Sequence, residues 1–155
     1  MVTSSDMTQL SETWIRILNK MDAMEKSPKD FGSGDLLHCS EIHTLMAIGK
    51  HPDTNITELA RFLGISKSAT SQMITRLLNK DLVEKSQNPR NNKEIIIKLS
   101  AKGVIAFLGH EQHHAKIYAR MTQKLGVMNR DQFLIITRFL HAIEETTDEF
   151  MQDQE

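Results

Sequence analysis

Two helix signals that follow each other closely after Asn55 constrain the fold of this chain more than any other feature. Asn55 and Glu58 have the spacing of a helix-capping box, and Gly64 suits the left-handed residue that ends such a helix. Ser66 can cap a second helix after only a few residues of turn. Two short helices joined by a tight, glycine-containing turn form a helix-turn-helix, which we therefore predict for this segment.

The second of these helices has a polar face of small, hydrogen-bonding side chains. Serine and threonine are mediocre helix formers, and a helix that only faces solvent usually carries more Glu–Lys pairs. Short hydroxyls and an amide let a helix approach phosphates and base edges closely. The pattern therefore predicts contact with DNA through Lys67, Ser68, Thr70, Ser71, Gln72, Thr75 and Arg76, with Ala69, Ile74, Leu77 and Leu78 on the buried side.

Charge along the chain is uneven. The segment from Arg61 to Lys98 holds eight basic and three acidic residues and carries a net charge of +5, which leaves −6 for the rest of a chain with net charge −1. A basic segment in an acidic chain is typical of a surface that binds a polyanion. A lysine-rich solvated helix and hairpin would show the same charge, so charge alone does not decide between the two.

A β-hairpin is predicted directly after the helix-turn-helix. "DLVEKSQ" and "EIIIKLS" read as two strands, and "NPRNNK" between them reads as a turn with Arg90 and Lys93 at its tip. The remaining segments read as helices. An apolar stripe runs from Leu10 to Met24, and further helices are expected over about Cys39–Gly49, over Ser100 to about Leu125, and after a cap at Asn129 and Gln132.

The expected fold class is mainly α with a small β-hairpin wing. We divide the chain into an N-terminal dimerisation helix with its linker (1–38), a winged helix-turn-helix (39–100) and C-terminal dimerisation helices (101–155), together one compact structural unit. The single cysteine, the polar N-terminus and the lack of a long apolar run predict a cytoplasmic protein that does not enter a membrane.

Enzyme motifs are missing from the sequence. It contains no glycine-rich phosphate loop, HExxH pair or GxSxG elbow. A metallohydrolase built around His43, His110 and His114 would have no use for a helix-turn-helix and a wing. We therefore expect no enzymatic activity.

The order of helices and hairpin resembles the MarR family of winged-helix transcription regulators. The resemblance covers about residues 8 to 150 and is most specific in "NITELARFLGISKSATSQMITRLLNKDLVEKSQNPRNNKEIIIKLSAKG". It implies a homodimeric, sequence-specific regulator, a repressor, that binds a pseudo-palindromic operator in double-stranded DNA and is modulated by a small molecule, an acyl chain or a metal. A winged helix that holds a protein partner is the alternative.

The resemblance also assigns roles to residues. The predicted helix from Lys67 would enter the major groove, and Arg90 would enter the minor groove from the wing tip. The family commonly has an aspartate two positions before this arginine, where this chain has Asn88. The ion pair that usually steadies the arginine is thereby reduced to a hydrogen bond.

Three histidines lie within "GHEQHHAK", and His110 and His114 are spaced i, i+4, as in a helical metal chelate. The chain is similar here to the zinc-responsive branch of the MarR family. That similarity implies a zinc site formed by Glu25, His43, His110 and His114, and zinc is the one candidate cofactor. The second site of that branch is not matched, since Gly109 and Ile42 stand where acidic ligands are needed.

Two other interpretations of the histidines stay open. The regulators of fatty-acid synthesis in the same family look similar through "SEIHTLMAIGK", which implies a pocket for an acyl chain lined by Leu36, Leu37, Ile42, Met46 and Leu108. Plain hydrogen-bonded interface histidines are the third interpretation. Cys39, near a helix N-terminus, is either a thiol sensor with a lowered pKa or a small buried apolar residue.

Overall fold

The computed structural model describes residues 3–89 and 91–153, without the side chains of residues 92 and 93. Helices and strands follow in the order α1 (Ser4–Glu25), α2 (Cys39–Lys50), α3 (Ile56–Leu63), α4 (Lys67–Asn79), β1 (Val83–Asn88), β2 (Asn91–Leu99), α5 (Ala101–Leu125) and α6 (Arg130–Gln152). The fold is therefore mainly helical with one small hairpin, as the sequence predicts.

The helix-turn-helix is closed by the predicted caps. The side-chain oxygen of Asn55 accepts a hydrogen bond from the Glu58 N–H at 2.9 Å, and the Glu58 carboxylate accepts one from the Asn55 N–H at 3.2 Å. Gly64 ends α3 with a φ of 64°, in the left-handed region. Ser66 Oγ accepts from the Ala69 N–H at 3.1 Å and starts α4. These three local interactions set the turn between α3 and α4.

The wing is an antiparallel pair of strands in which Val83 faces Leu99 and Asn88 faces Asn91. Its turn is tighter than the six residues that the sequence suggests, because β2 already begins at Asn91. The register shifts between Gln87 and Asn88. At the other end, the Ile97 N–H donates to the Thr54 carbonyl at 3.0 Å and joins the wing to the loop before α3.

A continuous apolar core supports the helix-turn-helix. Leu45 and Leu59 of α2 and α3 are fully buried, as are Leu77 of α4, Ile97 of β2 and Ala106 of α5. Each helix of the DNA-binding segment therefore has one face fixed against the same cluster, which leaves its opposite face to solvent.

Contacts between residues divide the chain into two units, Met1–His113 and His114–Glu155. The first unit contains α1 to β2 and the first half of α5, and the second contains the rest of α5 and α6. None of the described residues of α1 or of α6 is buried. Among the described residues, no helix combines the length and the apolar character needed to cross a membrane.

Candidate nucleic-acid interface and histidine cluster

The exposed face of α4 is the predicted DNA-contact surface. Ile74 and Leu77 are at most 1% exposed and fix the orientation of the helix from below. The opposite side presents one continuous row of polar and basic side chains to solvent. These exposed residues are Lys67, Ser68, Ser71, Gln72, Thr75 and Arg76.

Thr70 does not belong to this surface, and its prediction as a DNA contact is wrong. Its side chain is 0% exposed, and its Oγ1 donates to the Ser66 carbonyl at 3.0 Å. The spacing of Thr70, Ile74 and Leu77 is i, i+4, i+7, which places all three on one face of a helix. Counting this period along the sequence would have assigned Thr70 to the core.

The wing is the second predicted part of the DNA-contact surface. Arg90 lies outside the described residues, and so does the side chain of Lys93. Lys85 is exposed on β1, whereas Lys98 of β2 pairs with Asp53 at 3.3 Å. Asn88 donates through its side-chain amide to the Glu94 carboxylate at 2.6 Å, a contact that sequence reasoning did not foresee.

The histidines of α2 and α5 come together. The ring centroids of His43 and His110 lie 5.6 Å apart, and the Phe31 ring meets His110 edge-on at 5.0 Å. His114 is the first residue of the second unit, but α5 is continuous there, so the helix itself places His114 one turn after His110. One ring nitrogen from each of His43, His110 and His114 lies within 4.8 Å of the others.

This histidine cluster differs in exposure from one member to the next. His110 is 4% exposed, His114 is half-buried, and His43 is open to solvent. His114 Nδ1 also lies 3.0 Å from the Tyr118 hydroxyl. Three imidazoles at this spacing are a ligand set suited to zinc or a similar transition metal, with one side accessible for its entry.

Glu25, the fourth predicted ligand, is engaged elsewhere. Its carboxylate accepts from the Ser40 N–H at 2.8 Å and from Ser40 Oγ at 2.5 Å, and His38 Nδ1 lies 2.6 Å from its carbonyl oxygen. Glu25 therefore closes the N-terminus of α2, where a negative charge is favourable. It is not a member of the histidine cluster.

A buried ion pair connects the start of α2 with the end of α4. Lys80 Nζ lies 2.8 Å and 2.7 Å from the two oxygens of Glu41, and the same carboxylate accepts from the His38 N–H at 3.0 Å. Burial alone would raise the pKa of Glu41, but the hydrogen bonds from Lys80 and His38 outweigh it and hold that pKa below its usual value.

Sequence reasoning missed this pair. Glu41 stands three residues after His38, the N-cap of α2, which is the spacing of a capping box and was a usable signal. No comparable signal points to Lys80, which is 39 residues away.

A family model supports the resemblance on which the DNA-contact prediction partly rests. The model of the MarR family matches residues 37–95, a segment that holds α2, α3, α4, β1 and the first half of β2. This segment of the chain is therefore similar to the MarR family. Because MarR family proteins are transcriptional regulators, this match supports the expectation that the chain is not an enzyme.

Three known proteins illustrate the likeness. The HTH-type transcriptional regulator PchR of Bacillus subtilis (strain 168) is 28% identical over 107 residues, which cover 69% of this chain and 63% of PchR, so the match spans less than two thirds of that relative.

Two solved structures share the fold. They are Streptococcus pneumoniae FabT in complex with DNA (TM-score 0.69, 17% identity, 94% of this chain and 99% of FabT) and Lactococcus lactis ZitR in complex with DNA (TM-score 0.69, 20% identity, 96% and 99%). They confirm the winged-helix fold class.

The apolar pocket implied by similarity to another branch of the MarR family is not formed by the predicted residues. Leu37 and Ile42 are each 1% exposed and belong to the core, and Met46 is buried as well. Leu36 and Leu108 are more than half exposed. The five side chains are thus divided between the core and the surface, so lining a common pocket would require the core to open.

Cys39 is not the activated thiol that a position near a helix N-terminus suggests. Partial burial and the nearby Glu25 carboxylate raise its pKa, and Lys29 offsets this only in part. A raised pKa keeps the thiol protonated near neutral pH, which disfavours the oxidant-sensing role known in the MarR family.

Proposed function

We propose that this chain is a MarR family regulator that binds double-stranded DNA sequence-specifically through the exposed face of α4 and represses transcription where it is bound. The observation that carries the proposal is this uninterrupted polar and basic face on a helix whose other side is fixed in the core. PchR is described as a transcriptional regulator, and the FabT and ZitR structures contain DNA. These descriptions support the proposal.

The side chains of α4 divide by chemistry into two roles. Gln72 and Arg76 have the multidentate heads that read base edges in the major groove. The hydroxyls of the face and Lys67 are suited to phosphate contacts, which set position without carrying sequence information. Arg90 and Lys93 keep their proposed role in the wing, with Arg90 in the minor groove.

The proposed binding form is a homodimer. Seven large apolar side chains of α1 are 41–56% exposed and seven of α6 are 39–66% exposed, which is unusual for helices of a soluble monomer. A second copy of the chain, packed against these faces, would cover them. A two-fold dimer presents two α4 helices to successive turns of DNA, so the operator is expected to be an imperfect inverted repeat.

The DNA proposal is tested by selecting duplexes from a random library with the purified protein. We expect an enriched inverted repeat, to which Arg76→Ala binds about 10- to 100-fold more weakly because it removes a base-reading group. Lys20→Ala removes one positive charge from α1 and is the matched control, expected to bind almost unchanged. Absence of binding to any duplex at low salt would refute the proposed function.

We further propose that zinc at the histidine cluster regulates DNA binding. A second solved structure of ZitR, with a TM-score of 0.62 and 20% identity to this chain, is described as a zinc-responsive MarR family member. His43, His110 and His114 would supply three ligands, and Glu25 or a water molecule the fourth. A bound zinc ion would hold α2 and α5 together as a structural and regulatory centre.

Recruitment of Glu25 would also affect α4. To bind the metal, the Glu25 carboxylate would have to give up its hydrogen bond from the Ser40 N–H at the N-terminus of α2. The neighbouring His38 N–H donates to Glu41, so the loss would also affect Glu41. Glu41 in turn holds Lys80, which follows α4 directly. A shift in this chain of contacts worth about 1–3 kcal/mol is enough to change the affinity for DNA.

Zinc binding is tested on metal-stripped protein in competition with a chromophoric chelator. We expect one zinc ion per subunit and a loss of affinity of at least about 100-fold in His114→Ala, since even second-shell changes cost 10- to 100-fold. His141→Ala changes an exposed histidine of α6 outside the cluster and should bind zinc like the wild type. If the wild type and both variants all bound zinc weakly and alike, the zinc proposal would be refuted, and the search for an effector would turn to small molecules.

A further inference from the structure

We propose that Glu94 positions the wing for DNA binding by holding the side-chain amides of Asn55 and Asn88 at the same time. Glu94 lies on β2 and is half-buried, and its Oε2 accepts from Asn88 Nδ2 at 2.6 Å. Its Oε1 accepts from the side-chain amide of Asn55. The inference rests on the proposed DNA-binding function and assigns a wing-positioning residue to it.

The contact between Glu94 and Asn55 joins the wing to the start of α3. Asn55 is the N-cap of α3, and its Oδ1 is already committed to the Glu58 N–H. One carboxylate thus links the end of β1 with the first residue of the helix-turn-helix. Because Glu94 and Asn88 both belong to the wing, a displacement of the wing relative to α3 strains the charge-assisted hydrogen bond between Glu94 and Asn55.

The wing depends on this link because its two ends are held differently. At its base, Ile96 and Ile97 are fully buried, and the Ile97 N–H donates to the Thr54 carbonyl. Towards the turn, a cleft of about 600 Å³ lies between the wing and α3, lined by Phe62 and Pro89 among others. Apolar packing fixes the base, whereas polar side chains bridge the end that is predicted to reach DNA.

Strand pairing does not replace the link at this end. The register shifts between Gln87 and Asn88, so Asn88 follows an irregularity in the ladder. A shift of this kind bends the strand and redirects the side chains that follow. The bond to Glu94 therefore helps to hold the side chain of Asn88, and with it the start of the turn, beyond this irregularity.

Asn88 and Glu94 are chemically matched. A carboxylate that accepts two amide donors requires a donor at position 88, and asparagine supplies one. Aspartate at position 88 would instead set a second negative charge against Glu94. Like charges at hydrogen-bond distance repel, so this substitution should impair the wing of this chain.

The test exchanges the two functional groups and measures affinity for the duplex that the wild type selects from a random library. We expect Asn88→Asp and Glu94→Gln each to weaken binding by about 5- to 10-fold, which corresponds to the net contribution of roughly one hydrogen bond. The double variant should return to within about twofold of the wild type. Its amide at position 94 can donate to the carboxylate at position 88 and accept from Asn55.

Two matched variants separate positioning from charge and from helix capping. Glu84→Gln removes one exposed carboxylate from β1 and should leave binding unchanged or slightly tighter, because less negative charge faces the phosphates. Asn55→Ser keeps an N-cap oxygen but removes the donor to Glu94, and should weaken binding as Glu94→Gln does. Thermal unfolding by circular dichroism checks that each variant is folded.

The outcomes separate the inference from the function beneath it. Binding by Asn88→Asp that equals or exceeds that of the wild type would overturn the inference, as would a double variant whose loss is the sum of the two single losses. In both cases the wild type still binds DNA, so the proposed function stands. A wild type that selects no duplex overturns the proposed function and the inference together.

Discussion

Replacement of Lys80 by methionine should lower the free energy of unfolding by about 3 kcal/mol at neutral pH, as expected when a buried charge loses its partner. The Glu41 side chain is 3% exposed and the Lys80 side chain 28%, so little water can take over the role of the ammonium group. Methionine keeps much of the length and packing of the lysine stem. Urea unfolding followed by circular dichroism measures the difference.

The pH dependence of this effect has a definite sign. In the folded wild type the pKa of Glu41 lies below its ordinary value of 4.5, so the ionised carboxylate stabilises the fold above that pH. This stability is lost as the pH falls through the folded-state pKa. Without Lys80, burial favours the protonated form. The difference between wild type and Lys80→Met should therefore narrow as the pH is lowered from 7 towards 4.

A second lysine provides the matched control. Lys50 pairs with Glu111 at 3.3 Å, but their side chains are 58% and 46% exposed. Water screens such a pair, so Lys50→Met should cost less than about 1 kcal/mol and show little pH dependence. Equal losses in the two variants, or a constant difference between pH 7 and 4, would contradict the buried-pair account of Glu41.

Gly103→Ala should destabilise the protein by about 2–3 kcal/mol, although alanine is normally the better helix former by about 1 kcal/mol. A Cβ atom at position 103 would lie 1.9 Å from the carbonyl oxygen of Leu82. That oxygen accepts the Ser100 N–H, and Ser100 Oγ accepts the Gly103 N–H, so the backbone here has little freedom to retreat. Thermal unfolding gives the readout.

Gln112→Ala is the control for helix propensity, because position 112 is exposed on the same helix. It should leave the stability within about 0.5 kcal/mol of the wild type. A higher melting temperature of Gly103→Ala would contradict this account, because it would mean that the Leu82 backbone can make room for a Cβ atom at position 103.

Several elements of this protein could be predicted because their causes are local. The caps at Asn55, Ser66 and Asn129 act on backbone groups three residues away, and the structure contains all three. Gly64 is predicted to end α3 because glycine can adopt a positive φ. The polar face of α4 follows from helical periodicity, and Thr70 was misplaced only because its chemistry was weighed above its position in that period.

The predicted zinc ligands show where this kind of reasoning stops. His110 and His114 are close because a helix places residues four apart on one face. His43 joins them because α2 packs in the same unit as the first half of α5, which no spacing in the sequence reveals. Glu25 has the right chemistry for a ligand, but Ser40 occupies its carboxylate in the folded chain.

The sequence by itself determined the order of the elements, the helix-turn-helix and the face of α4, since each depends on interactions between residues at most about seven positions apart. Only the tertiary structure decided the partners of Glu41 and Glu94. Lys80 and Asn55 are each 39 residues from these carboxylates along the chain. Such partners become neighbours only when the helices pack on a common core, and a buried or half-buried carboxylate then holds the donors that the packing brings within reach.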